Sequence, residues 1–156
     1  MINLKRSGFE GHELLKLFNV FIRPVIEYCS IIYHPLLTVS QSDIIEKMQK
    51  QIVKLAFGWK TSYNVICAEQ DITTLKQRRV DYIDRFVSKS IHNSRFKDNW
   101  FPLREEAIYN LRERNPYRET KARTKRYYNS PLSYMRRRAN VLHAETANTV
   151  AMNASY

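Results

Sequence analysis

Residues 73–93 read TTLKQRRVDYIDRFVSKSIHN, and this stretch decides the fold class. Leu75, Ile83, Phe86, Val87 and Ile91 recur at helical steps and predict the inner stripe of one long helix. Thr73 or Thr74 stands where an N-cap belongs, and the pattern runs to about Asn93. On the other side Arg78, Tyr82, Arg85 and Lys89 follow one another at steps of four, three and four. That spacing makes a cationic ridge about 16 Å long at 1.5 Å per residue. Arg79 is different: it lies four after Leu75 and four before Ile83, at the edge of the apolar face. It reads as structural, pairing a buried carboxylate or capping carbonyls.

Upstream, helical spacing recurs. Ser7-Gly8-Phe9-Glu10 has the form of a capping box, followed by Leu14, Leu17, Phe18, Phe21, Ile22 and Val25 on one helical face. Pro24 has no amide hydrogen and is expected to kink this helix or to begin a second. The second half is expected to run to about Tyr33, with His34-Pro35 ending it. The next helix starts near Ser40, with Ile44, Ile45, Met48, Ile52 and Leu55 as its expected buried stripe. Asp43–Lys47 and Glu46–Lys50 have i,i+4 spacing, each pair worth about 0.3 kcal/mol. Gly58 is placed as the C-terminal cap, and a short helix is expected over Tyr63 to Glu69.

Downstream the pattern loosens. Trp100-Phe101-Pro102 is expected to pin an extended loop, and Arg104 to Arg112 to form a short helix. Ser130-Pro131 then reads as an N-cap followed by proline at the first helical position. Leu132, Met135, Ala139 and Leu142 space as the inner face of a last helix. From Glu145 periodicity is lost, and a frayed tail is expected.

Composition agrees with an all-α chain. Of 156 residues only 3 are Gly and 5 Pro, too little turn chemistry for a sandwich or barrel of many short strands. The 44% hydrophobic share can build a core. Two cysteines, Cys29 and Cys67, exclude a disulfide framework. They fit a reducing, intracellular setting, cytoplasm or nucleus. A membrane span over Leu14 to Leu37 would have to bury Lys16, Arg23, Glu27 and His34, so none is expected. No apolar leader follows Met1.

The charge carries the functional signal. The net charge is +11, and residues 100–140 hold 11 Lys+Arg against 4 Asp+Glu, more than half of that excess. The same segment contains Tyr109, Tyr117, Tyr127, Tyr128 and Tyr134. Arginine interleaved with tyrosine suits a polyanion that also offers stackable bases. Arg123, Lys125 and Arg126, just before the last helix, are placed for phosphate contact near a helix N-terminus. Arg136-Arg137-Arg138 fans over about 200°, so the three are not expected to grip one backbone together.

Catalytic patterns are lacking. Cys29, His34, Cys67 and His92 are too scattered for a zinc site, and no metal or other cofactor is expected. There is no Gly-rich phosphate loop and no nucleophile elbow. Asp81 and Asp84 lie at i,i+3 beside Arg78 and Arg85 and read as a charged solvent face. Glu105-Glu106 point to different sides of a helix. A nuclease would need clustered acids or a His–acid pair, and neither is visible.

A set of ordered motifs resembles a known family. Gly8-Phe9, then Phe21-Ile22-Arg23-Pro24-Val25-Ile26-Glu27-Tyr28, then Tyr33-His34-Pro35 come first. Ile45-Glu46-Lys47-Met48-Gln49-Lys50 and Leu55-Ala56-Phe57-Gly58 follow, and after them Thr74-Leu75-Lys76-Gln77-Arg78-Arg79, Trp100-Phe101, and Arg123-Thr124-Lys125-Arg126 running into Ser130-Pro131-Leu132-Ser133-Tyr134-Met135. In this order and spacing the chain, over about Asn3 to Asn140, resembles the C-terminal part of the reverse transcriptase of non-LTR (LINE-type, jockey-like) retrotransposons. The tail after Asn140 departs from the pattern, as does Tyr33, where relatives commonly carry Trp.

The resemblance implies a thumb-like helical bundle and the segment after it. It places the palm, with its Tyr-Ala-Asp-Asp-type motif, upstream of Met1, and no equivalent occurs in this chain. The expected architecture is all-α: a thumb-like helical bundle over 1–93, an irregular basic extension with a last short helix over 94–142, and a disordered tail over 143–156. The expected function is non-catalytic binding of a nucleic-acid backbone, whether RNA, DNA or an RNA–DNA hybrid. Arg78, Arg85, Lys89, Arg123, Lys125, Arg126 and Arg137 would make the contacts, with Arg79 and Trp100 structural. The alternative is an interaction fragment, or a degenerate copy, that needs the missing palm and fingers, its Phe18, Phe21 and Tyr28 packing against that palm.

Overall fold

The structure is a computed structural model. It describes residues 1–104 and 115–153, without the side chain of Ser94. The chain is all-α. The only strand-like feature among the described residues is an isolated antiparallel bridge, Leu103 to Tyr117. The helices are α1 (Ile2–Arg6), α2 (Gly11–Leu17), α3 (Arg23–Glu27), α4 (Ser30–Tyr33), α5 (Val39–Phe57), α6 (Tyr63–Glu69), α7 (Leu75–Ile91), α8 (Ser94–Trp100), α9 (Lys125–Tyr128) and α10 (Pro131–Asn153). The expected helix from Arg104 to Arg112 lies almost wholly outside the described residues. No described helix is long and apolar enough to cross a membrane.

The chain divides into two compact units, and the expected boundary at residue 93 is not where they part. The first unit holds Met1–Ser30 and Leu37–Val80, the second Ile31–Leu36 and Asp81–Tyr156. The boundary falls inside α7, whose apolar repeat is continuous, so periodicity gives no sign of the change of partner.

In the first unit α2 packs on α5 and α5 on α6. Its buried apolar side chains are Leu14, Phe18, Val53, Ala56, Ile66 and Leu75. Gly11 is required by close approach, since a Cβ there would lie 2.9 Å from the Ala56 carbonyl oxygen and 3.1 Å from the Phe57 ring. The Lys5 ammonium donates to the carbonyls of Leu55 and Ala56, satisfying acceptors at the end of α5. Gly58 caps that helix with φ 109°, a conformation few side chains tolerate.

Three local expectations are corrected here. The capping box at the start of α2 is Glu10–Glu13, with the Glu10 amide donating to Glu13 Oε2 at 2.9 Å. Ser7 instead ends α1, its hydroxyl donating to the Asn3 carbonyl. The first long helix widens into a π turn over Phe18–Ile22 and begins again as α3 with Pro24 in its first turn, one of the two outcomes expected, but it does not run on to Tyr33: it breaks at Cys29, which has φ 54°. The missing proline N–H removes a rung, and the wider turn accommodates the loss. The buried face of α5 is Gln49, Val53 and Ala56, while Ile44 and Met48 are exposed. The stripe is turned by about one residue because Gln49 is satisfied inside: its Nε2 donates to the Tyr63 hydroxyl at 3.1 Å and to the Thr73 carbonyl at 3.0 Å.

The core of the second unit is Ile83, Val87, Phe101, Tyr117, Met135 and Ala139, flanked by Ile31, Phe86, Trp100 and Leu142. Asn140 is buried and reads the backbone of Tyr117 on both sides: its Oδ1 accepts from the amide at 3.0 Å and its Nδ2 donates to the carbonyl at 3.2 Å. This clamp holds the irregular segment onto α10, and the bridge ties Tyr117 to Leu103. Contrary to the expected disorder over 143–156, α10 is helical as far as Asn153. His143 and all described residues beyond it are exposed. Tertiary burial therefore does not explain that extension. Ala residues at 144, 147 and 151 favour it locally, as the best helix formers.

Candidate nucleic-acid interface

Three successive arginines at the start of α10 show how one helix turn divides its work. Arg136 Nε donates to the Trp100 carbonyl at 2.7 Å. Arg138 makes a two-pronged pair with Asp84, at 2.7 and 2.6 Å. Hydrogen bonding to Asp84 raises the Arg138 pKa, and burial partly opposes that rise. Arg137 lies between them in sequence and turns to the junction with α9. Its Nη1 donates to the Tyr128 carbonyl at 2.7 Å, and its guanidinium lies 3.7 Å from the Tyr128 ring centroid and 5.7 Å from that of Tyr134. Arginine stacked on an aromatic face is held in place without losing its charge.

The segment before α10 completes this face. Thr124 caps α9, its hydroxyl accepting from the Tyr127 amide at 3.2 Å. That cap projects Arg123, Lys125, Arg126, Tyr127 and Tyr128 into solvent, both tyrosines being 49% exposed. Among the described residues no carboxylate forms an ion pair with Arg123, Lys125, Arg126 or Arg137. Arg137 and the Tyr128 ring are in contact, and Arg123, Lys125, Arg126 and Tyr127 are exposed within a few residues of them along the chain. The last helix, α10, starts at Pro131 just after these cations, as expected, while α9, with only 4 residues, has too few aligned peptides to add a dipole of its own.

The ridge along α7 is corrected. Arg78 is half-buried and turned to Glu27, with Nε at 2.5 Å and Nη2 at 3.2 Å from the two carboxylate oxygens. Its charge is met inside the first unit, so it leaves the interface. Arg85 and Lys89 belong to the second unit and are exposed, Arg85 lying 5.9 Å from the Tyr82 ring. Arg79 is 0% exposed; its Nη2 donates to the Ser42 hydroxyl at 2.9 Å and lies 3.8 Å from Glu46. Glu46 also accepts from the Lys76 amide at 2.5 Å, placing a carboxylate at the positive end of α7. Trp100 is half-buried beside Phe96 and Phe86, with centroids 4.7 and 6.0 Å away.

Sequence reasoning did not identify Glu27 and Asp84 as internal counter-charges. Each lies more than fifty residues from its arginine, and no local spacing signals such a pair. Among the described residues no group of three or more His, Cys, Asp or Glu is placed to hold a metal ion.

Fold and surface together define a class: an all-α protein of two helical units, one bearing an exposed basic and aromatic face. No family model, curated protein or solved structure matches the chain.

Proposed function

We propose that this chain is a thumb-like piece of a retrotransposon-type RNA-directed DNA polymerase, without the catalytic palm. It binds the nucleic-acid backbone of a template–primer and is not an enzyme on its own. The ordered motifs support the origin. The binding role rests on one observation, the exposed cations Arg123, Lys125 and Arg126 and the half-buried Arg137 stacked on Tyr128, around the α9–α10 junction. Phosphates supply the opposite charge that no carboxylate among the described residues supplies to these cations, and displaced counterions supply the driving force. Such a partner places the protein in the cytoplasm or nucleus.

A fluorescence-polarisation titration against an RNA–DNA hybrid tests this reading. Contacts to about four phosphates require log Kd to rise with log salt at a slope near 3 to 4. A flat salt response overturns the proposal.

A second reading has its own observation. On the π turn, α3 and the residue that caps it, Phe21, Val25 and Tyr28 are 66%, 75% and 77% exposed, apolar surface a palm domain would cover. Phe18 does not belong to that surface, since it is buried in the chain's own core. Self-association on sizing columns, with dye binding lost in Phe21→Ser/Val25→Ser, supports this interaction role. A dye-silent monomer removes it.

A further inference from the structure

We infer that the face around α9 is built for unpaired nucleotides rather than for a duplex, its cations following the phosphates and Tyr127 and Tyr128 stacking on bases. The inference rests on the backbone-binding reading above and names the form of nucleic acid that the site takes.

A duplex is met through its phosphates and base edges, because paired bases are already stacked and their faces are closed to a protein ring. This surface offers more than cations. Tyr127 and Tyr128 each keep about half of their surface in solvent, 49%, at the centre of the basic segment. Tyr128 meets the Arg137 guanidinium, and half of each tyrosine's surface still faces solvent beside these cations. This is the arrangement by which single strands are held: charge along the backbone, and ring faces for any base.

The local geometry prepares the platform. The Tyr128 amide donates to the Thr124 carbonyl at 3.0 Å and its carbonyl accepts from Arg137 at 2.7 Å. The guanidinium 3.7 Å from the ring holds the ring's direction. Little side-chain freedom is left to lose when a base arrives. The planar guanidinium of Arg137 is itself a surface on which a base can stack. Tyr127 points into solvent beside this assembly, with its backbone fixed by the Thr124 cap.

The test uses the full chain and two labelled probes of one sequence, a single strand of about 12 nucleotides and the corresponding blunt duplex. The single strand is expected to bind about tenfold more tightly at equal salt. Tyr127→Ala is expected to remove about tenfold of single-strand affinity, leave duplex binding within about twofold, and leave the salt slope unchanged. Tyr127→Phe keeps the ring and is expected to bind as the parent does. Tyr127 is exposed, so both variants are expected to melt with the parent. Equal or tighter duplex binding, or an equal effect of Tyr127→Ala on both probes, overturns this inference and leaves backbone binding standing. Absence of salt-dependent binding to either probe overturns both.

Discussion

In the first unit Arg78 and Arg79 each face a carboxylate, Glu27 and Glu46. At the α9–α10 junction of the second unit Arg123, Lys125, Arg126 and Arg137 face none among the described residues. The residue types are alike, and the surroundings assign opposite tasks. A guanidinium withdrawn from water must be paired and hydrogen-bonded, or its desolvation is not compensated. A guanidinium left in water retains its attraction for an outside anion. Arginine density along a sequence therefore overstates a binding surface by as much as internal acids consume.

The largest effect expected from this contrast is on folding. Arg79→Ala removes a fully buried cation and leaves Glu46, whose side chain is 14% exposed, without it. The first unit is expected to lose about 3 kcal/mol, a fall in its Tm of about 12–24 °C by calorimetry. An unchanged Tm would break the contrast at its buried end. Next, Arg78→Gln is expected to cost about 2 kcal/mol, since Glu27 is only 8% exposed and then keeps Arg23 at 4.0 Å as its charged partner. The same variant is expected to leave the salt dependence of nucleic-acid binding untouched; a reduced slope would return Arg78 to the interface.

The exposed end is probed by Lys125→Gln with Arg126→Gln. Melting is expected to stay with the parent, while affinity falls about tenfold and the salt slope by about 2. Loss of stability without loss of slope would show that these cations serve the fold.

The smallest effect is on pH dependence, and both units share it. Burial raises the Tyr63 phenol in the first unit; a hydrogen bond with Cys67 adds to the rise and one from Gln49 opposes it. Burial raises Tyr117 and Tyr134 in the second unit. These phenols hold their protons more tightly when folded than in the unfolded chain, where they release them near 10.0. Their contribution is therefore complete below that pH and is lost as pH rises above it. Urea midpoints are expected to be level to about pH 9.5 and to fall beyond it, with these tyrosines last to ionise by absorbance. A midpoint that rises above pH 10 would contradict the burial of all three.

How far local pattern reaches differs from helix to helix. The bounds of α6, Tyr63–Glu69, were legible from sequence, and so was the proline start of α10. Both follow from turn chemistry within a few residues. The inner face of α5 was misread, because the position that turns it is a glutamine. Only Tyr63 and the Thr73 carbonyl, 14 and 24 residues on, make Gln49 a core residue. Of the candidate interface, the segment Arg123 to Arg126 was visible in charge and spacing. The loss of Arg78 and the stacking of Arg137 were not, since each depends on a residue well outside its own helical turn.

By itself the sequence determined an all-α chain, most helix positions, and a basic segment interleaved with tyrosine. These follow from residue-by-residue rules: apolar spacing, the scarcity of glycine and proline, and the sign of side-chain charge. Tertiary structure alone decided the split of α7 between two units, the burial of Gln49, and which arginines still face water. Those outcomes turn on partners far apart along the chain, and burial is decided by what packs opposite a residue.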